Sequence, residues 1–207
     1  MNCFVCDNKD ENGKLSTVVK AFPEAWKGSV LDVGCRTKQL KTSLMHLPIN
    51  YCGFDLFPPA DVTGNLEKGM PFQDASFDVV VALDVLEHTD NIHKSVNELF
   101  RVAKKYVIIN LPNTYEFKCR LKFLAGKNLS GKYGLPIDAP TDRHRWLFSF
   151  NEAFNFTHAM GNRQNFEVKK EGCLVGPNRG GFIGRVMTRQ LPDLLAPWYL
   201  ALLERKS

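Results

Sequence analysis

Short apolar runs alternate along the first half of the chain with segments whose apolar residues recur at helical spacing. Ser29–Val33, Asp78–Leu83 and Tyr106–Asn110 are short and rich in Val or Ile, the pattern of strands buried on both faces of a parallel sheet. Tyr51–Leu56 is a weaker fourth run. Within Asn91–Ala103, Ile92, Val96, Leu99 and Phe100 fall at i, i+4, i+7 and i+8; within Thr37–Leu47, Leu40, Leu44 and Leu47 share a face. Both read as amphipathic helices, the first with Asp90 as its N-cap. Strands alternating with helices predict an α/β fold with right-handed crossovers.

The pattern changes after residue 113. Asn113–Arg145 has no clean period, carries Gly126, Gly131, Gly134, Pro136 and Pro140, and holds seven Lys/Arg against three Asp/Glu. An irregular insertion of that length in a compact domain is functional or partly helical. Ser149 and Glu152 then form a capping box that opens a helix reaching about Met160. Asn165–Val175 and Gly181–Gln190 read as two strands of a hairpin, joined by the turn Gly176-Pro177-Asn178-Arg179-Gly180. Pro192–Arg205 is strongly apolar through Leu194, Leu195, Trp198, Leu200, Leu202 and Leu203. Buried, this segment is structural; exposed, it would mark a homodimer contact or a membrane-surface patch. Burial against the sheet is expected.

Composition narrows the class. With 207 residues, 44% of them hydrophobic, one domain with a full core is expected and disorder is excluded. No run reaches the roughly 18–20 apolar residues of a membrane helix, and Met1–Asp10 lacks a secretory signal pattern, so a cytoplasmic protein is expected. Residues 1–28 read as an N-terminal extension ahead of a domain over 29–207. Cys3 and Cys6 form a single C-x-x-C, while Cys35, Cys52, Cys119 and Cys173 are scattered. Without a second ligand pair this is not a zinc framework. The pair reads as part of a flexible remnant, and no metal ligands are expected.

The net charge of +5 is split: residues 1–103 carry 10 Lys/Arg against 14 Asp/Glu, residues 104–207 carry 17 against 8. Uniform basicity would point to a nucleic-acid surface; the split points to two halves of a site that meet different partners.

Candidate chemistry gathers where the predicted strands end, the ligand-binding edge of an open α/β sheet. The first ends in Leu31-Asp32-Val33-Gly34-Cys35-Arg36, and Asp55 follows about 20 residues later, placed to accept hydrogen bonds from both hydroxyls of a ribose. A dinucleotide fingerprint requires G-x-G-x-x-G. Here Arg36 and Gln39 occupy its second and third glycine positions, which argues against a nicotinamide enzyme.

These runs, followed by Gly64-Asn65-Leu66, Met70–Asp78 and Leu83-Asp84-Val85-Leu86-Glu87-His88, resemble the ordered motifs of class I S-adenosylmethionine-dependent methyltransferases. The nearest flavour is the small-molecule branch that includes ubiquinone and menaquinone methyltransferases. The resemblance covers roughly residues 29–113. It implies a Rossmann-like seven-stranded sheet, mostly parallel with a C-terminal antiparallel hairpin, and helices on both faces. It further implies S-adenosylmethionine as cofactor. Asp32, Gly34 and Cys35 would shape the loop around its methionine part, Asp55 would hold the ribose and Leu56 the adenine. Asn65 would bond the adenine amino group with Leu66 beside it, and Leu83 and Asp84 would border the methionine end. The family loop commonly reads G-x-G-x-G, whereas this chain has Gly34, Arg36 and Lys38. If Arg36 takes a positive φ, an L-residue there costs about 1–2 kcal/mol.

For the acceptor side, the insertion over about 113–148 reads as a substrate lid. His88 and His144 are the candidates for a base where the nucleophile must lose a proton. Tyr115, Tyr133, Arg143 and Arg145 are candidate substrate contacts, the arginines suited to carboxylate or phosphate. Trp146, Phe148, Phe150 and Phe154 read as packing residues. Asp84-Val85-Leu86-Glu87 stands where amine-methylating nucleic-acid enzymes carry Asn/Asp-Pro-Pro-aromatic, and Cys119 lies between Lys118 and Arg120 rather than beside the proline of cytosine-C5 enzymes. The expectation is therefore a methyltransferase of a small, polar or anionic acceptor. The rivals are an RNA methyltransferase and a degenerate, non-catalytic interaction protein.

Overall fold

The protein is described by a computed structural model covering residues 1–6, 11–129, 131–138, 140, 142–179 and 181–207. Gly180 of the expected turn and the Asp7–Asp10 end of the N-terminal segment lie outside the described residues. Among the described residues, eight strands form one sheet: β1 (Asn2–Val5), β2 (Gly28–Val33), β3 (Ile49–Asp55), β4 (Val62–Thr63), β5 (Phe77–Leu83), β6 (Ala103–Pro112), β7 (Phe166–Val175) and β8 (Trp198–Arg205). Their order is β1-β7-β8-β6-β5-β2-β3-β4. All run parallel except β8, which is antiparallel to both β6 and β7. This is the mixed α/β, Rossmann-like architecture expected from the sequence, with one strand more at the β7 edge.

The central strands are continuous apolar runs because both of their faces are covered. Val80, Val107, Ala201 and Leu203 face one core, which Leu99, Phe100, Phe150 and Met160 complete. Those four come from α3 (Ile92–Val102) and α5 (Phe150–Arg163). Val79, Val81, Ile108, Leu200 and Leu202 face the other core, with Val18, Phe22, Leu40 and Leu44. Here the cover comes from α1 (Glu11–Ala21), the residues after it, and α2 (Gln39–Leu44).

Two helix starts follow local chemistry. Ser149 and Glu152 make the expected capping box of α5. α3, however, is capped by Asn91, whose side chain accepts from the Lys94 N–H at 3.0 Å, and not by Asp90, which pairs with Arg145 at 3.0 Å. A third helix, α4 (Phe117–Leu124), opens the insertion and buries none of its residues.

The C-terminal part corrects the expected hairpin. β7 is as predicted, but Gly181–Gln190 is not its partner: Phe182–Gln190 is helix α6, followed by the single turn α7 (Pro192–Leu195). The partner is β8, from the apolar closing segment, with Leu200, Ala201, Leu202 and Leu203 fully buried. The slot between β6 and β7 is covered on both faces, so it takes a run apolar at every position. Gly181–Gln190, with Arg185 and Arg189, cannot fill it.

The N-terminal residues also differ from a flexible remnant. β1 pairs with β7 from Asn2 opposite Gly172 to Val5 opposite Val175, Cys6 is buried, and α1 contributes to the core. Among the described residues no helix is long and apolar enough to cross a membrane.

A Cβ at Gly172 would stand 2.3 Å from the Asn2 carbonyl oxygen. Gly172→Ala is therefore expected to detach β1, costing about 1–3 kcal/mol. Hydrogen exchange should speed up over residues 2–6 while β2, β5 and β6 stay protected.

Candidate functional site

The carboxyl ends of β2, β3 and β5 open onto a cleft of about 990 Å³, the edge at which open α/β sheets bind ligands. β2 leaves the sheet through Gly34 at φ 75°, followed by Arg36 at φ 47° and Lys38 at φ 59°. Gly34 is required twice over, by its backbone and because a Cβ would meet Val85 Cγ2 at 2.2 Å. Arg36 does adopt the left-handed conformation, with its cost of about 1–2 kcal/mol. Its N–H donates to Asp55 Oδ2 at 2.8 Å, which ties the loop to the end of β3.

Asp55 thereby becomes a fixed acceptor. Its Oδ1 accepts from the Phe57 N–H at 3.1 Å. A carboxylate offers about four lone-pair positions, so the two backbone bonds leave two for a ligand. Asp32 sits deeper, buried, and accepts from the Tyr51 hydroxyl at 2.6 Å. Burial pushes its carboxyl up to about 7, against the lowering effect of the Tyr51 bond. Cys35, Leu56, Leu66 and Leu83 line the same cleft. Asn65 lines it as well, but its Oδ1 is engaged in capping the turn Leu66–Lys68 through the Glu67 N–H at 2.9 Å, leaving its amide NH₂ for other partners.

At the end of β5, Asp84 turns out of the strand at φ 53°. Its Oδ1 accepts from Asn110 Nδ2 at 2.6 Å, and its Oδ2 pairs with Lys14. The Lys14 ammonium also lies 4.6 Å from the centroid of the Trp198 ring. Lys14 and Trp198 both line the cleft. They come from the two ends of the chain, outside the motif-bearing stretch, and no spacing in the sequence connects them to Asp84.

The other end of the cleft is built where the insertion returns to the body. The Arg145 N–H donates to the Glu87 carbonyl at 2.7 Å, and Trp146 Nε1 donates to the Thr89 carbonyl at 2.7 Å. This clamp brings His144 against His88, with ring centroids 4.5 Å apart at 88°. His88 Nδ1 faces Asp142 Oδ1 at 2.8 Å and the Arg143 carbonyl at 3.2 Å, and His144 Nδ1 faces the Tyr133 hydroxyl at 2.6 Å.

The Nε2 atoms of both rings point at Glu87 Oε1, at 3.9 and 3.8 Å. Glu87 is only 1% exposed, and its Oε2 has no hydrogen-bond partner among the described residues. Burial pushes its carboxyl well up, and the charge of Asp84 adds to this. His144 is pushed down to about 4, chiefly by burial and then by His88. Burial and the charge of Lys132 lower His88 as well.

The two histidines singled out in the sequence thus meet in space, and Arg143 and Arg145 also line the cleft. Tyr133 stands behind His144 rather than on the cleft wall. Tyr115 is not on the wall either; it is half exposed at the entry to α4. Glu87, Lys132 and Asp142 were missed as site residues. Glu87 belongs to the quoted motif, and Asp142 immediately precedes Arg143-His144-Arg145, so both had a local signal.

Residues 31–109 match the family described as a methyltransferase domain. An uncharacterized protein of Methanocaldococcus jannaschii is 30% identical over 98 residues, covering 44% of this chain and 43% of that protein; the match thus spans less than half of the relative's length. Among solved structures, the small RNA methyltransferase HEN1 superposes with a TM-score of 0.65 at 19% identity, over 94% of this chain and 25% of that one. An S-adenosylmethionine-dependent methyltransferase from Archaeoglobus fulgidus superposes at 0.59 and 14% identity, over 95% and 96%. The fold is the Rossmann-like methyltransferase fold.

Asp32 generates a pH prediction. Between its ordinary 3.8 and about 7, the unfolded chain has released this proton while the folded chain still holds it. Stability therefore falls as pH rises through that window and levels off above it. Asp32→Asn should flatten the slope, melting higher than the parent at pH 8 and close to it at pH 4, as read by thermal denaturation across pH.

Proposed function

We propose that the chain is an S-adenosylmethionine-dependent methyltransferase acting on a small, polar or anionic acceptor. The observation that carries this reading is the convergence in one cleft of Gly34, Asp55, Asn65 and Asp84, at the positions of the methyltransferase motifs, with Lys132, Arg143 and Arg145 on the same walls. The cleft volume of about 990 Å³ lies at the upper end of the roughly 300–1,000 Å³ of small-molecule sites, which suits a cofactor and an acceptor together.

The residues present fit the cofactor. Asp55, held by two backbone amides, takes the ribose hydroxyls with its remaining lone pairs. Leu56 and Leu66 give the adenine apolar contact, and the Asn65 amide faces its edge. Asp32, Gly34, Cys35 and Leu83 shape the pocket for the methionine portion. The Lys14–Asp84 pair presents one charge of each sign to a zwitterionic amino-acid group. When bound, S-adenosylmethionine supplies a methyl group activated on a sulfonium.

What the protein contributes is alignment, since holding two reactants in line is worth effective molarities of about 10⁵–10⁸ M. Arg143 and Arg145 draw an anionic acceptor to the cleft. His144, neutral near pH 7, stands with His88 where the acceptor would enter, able to accept its proton. A nucleic-acid acceptor is the second reading, favoured by the seven Lys/Arg of the insertion; RNA binding that weakens steeply with salt would select it.

Calorimetry with S-adenosylmethionine and its demethylated product tests the reading, and absence of heat at millimolar ligand refutes it. Asp55→Ala should weaken cofactor binding about tenfold to a hundredfold, from the loss of hydrogen bonds to a charged acceptor. Unchanged affinity would remove Asp55 from the ribose.

A further inference from the structure

We propose that helices α4 and α6 form a docking surface for an anionic lipid bilayer, which the protein binds from the side without crossing it. The surface does not depend on the methyltransferase reading, since no residue of either helix lines the cleft.

An amphipathic helix on the surface of a globular domain turns its apolar stripe towards the core. α6 does the reverse. The positions it turns to the body are Gly184, half-buried, and Thr188, buried. The Thr188 hydroxyl donates to the Gly184 carbonyl at 2.8 Å, and the Thr188 carbonyl accepts from the Cys173 thiol at 3.8 Å. The opposite side of the helix carries Phe182, Ile183, Val186 and Met187 at i, i+1, i+4 and i+5. All four are exposed, Phe182 to 76% and Ile183 to 72%. α4 repeats the arrangement: Phe117, Leu121 and Leu124 fall at i, i+4 and i+7, and all three are exposed. Apolar residues exposed singly need no explanation, whereas two aligned stripes of them mark a surface that meets a partner.

Both helices belong to the same end of the sheet. Asn113, where the chain leaves β6, donates through Nδ2 to the carbonyls of Asp193 at 2.9 Å and Ala196 at 2.8 Å. The root of α4 is thereby tied to the turn α7 that follows α6. The cleft opens at this end too, with Pro112, Gly176 and Trp198 on its wall. Charge selects the occupant. α4 carries Lys118, Arg120 and Lys122, α6 carries Arg185 and Arg189, and neither helix contains an Asp or Glu. Large apolar side chains flanked by Lys and Arg are the composition of helices that lie in the head-group layer of anionic membranes. A second copy of the chain would bring like charges together on these faces. A nucleic acid would answer the cations but offers no apolar phase to Ile183, Val186 and Met187.

The test is flotation of the full chain with vesicles of phosphatidylcholine alone and of equal parts phosphatidylcholine and phosphatidylglycerol. The protein should float with the mixed vesicles and stay in solution with the neutral ones, and Phe182→Trp should give blue-shifted emission on the mixed vesicles. A cation at an anionic surface is worth about fivefold in affinity, so Arg185→Gln/Arg189→Gln should bind about twenty-five-fold more weakly. Phe182→Ser/Ile183→Ser and Leu121→Ser/Leu124→Ser should each weaken binding about tenfold to a hundredfold, from the loss of inserted apolar area. Melting curves and S-adenosylmethionine calorimetry of these variants should match the parent, because none of the substituted side chains is buried or lines the cleft. No flotation, equal flotation with both vesicles, or flotation that survives both apolar double variants overturns the proposal. So does a dimer in solution that Phe182→Ser/Ile183→Ser dissociates, or binding of RNA in place of vesicles. Flotation by a protein that takes up no S-adenosylmethionine upholds the surface and sinks the methyltransferase reading alone.

Discussion

The loops that leave β2 and β5 touch each other at the cleft, and the contact point is Gly34 against Val85. A single methyl group at position 34 would overlap Val85 Cγ2, so these loops can lie side by side only because one has no side chain there. From that contact follow the height of the Arg36 amide, the bond it makes to Asp55 and the exit of Asp84 towards Lys14. The Gly34 loop and Asp84 are placed by two strand ends that must fit together before any side chain matters, while Asp55 comes from the end of β3 and Asn65 from the segment after β4.

The split in charge acquires a spatial meaning in this frame. The acidic half supplies Asp32, Asp55, Asp84 and Glu87 to the cleft, and the basic half supplies Lys132, Arg143 and Arg145. The insertion brings opposite charge across to a wall that would otherwise be strongly anionic. Asp142, pairing with both His88 and Lys132, is the joint between the two.

What could be read in advance followed physical range. Strands covered on both faces announce themselves by unbroken Val and Ile, and β2, β3, β5 and β6 were placed within a few residues. α6 was misread as a strand although Phe182, Ile183, Val186 and Met187 fall at helical spacing. The Gly- and Pro-containing turn before it is a local hairpin signal, whereas the need for a different strand between β6 and β7 is a property of the whole sheet. In the cleft, Asp55 was legible because it follows β2 at a fixed offset. The Lys14–Asp84 pair and the meeting of Glu87 with His144 were not, since they join segments 70 and 57 residues apart whose approach depends on the complete fold.

The late position of β8 in the chain has a consequence for how the protein reaches this state. The slot between β6 and β7 is central to the sheet, yet it is filled by Trp198–Arg205. Until that segment is available, β6 and β7 each present an unpaired edge, and both cores lack Leu200 to Leu203. Such edges are templates for pairing with other chains. A chain made through β7 but not yet through β8 is therefore open in the middle of its sheet, the point at which aggregation competes most directly with folding.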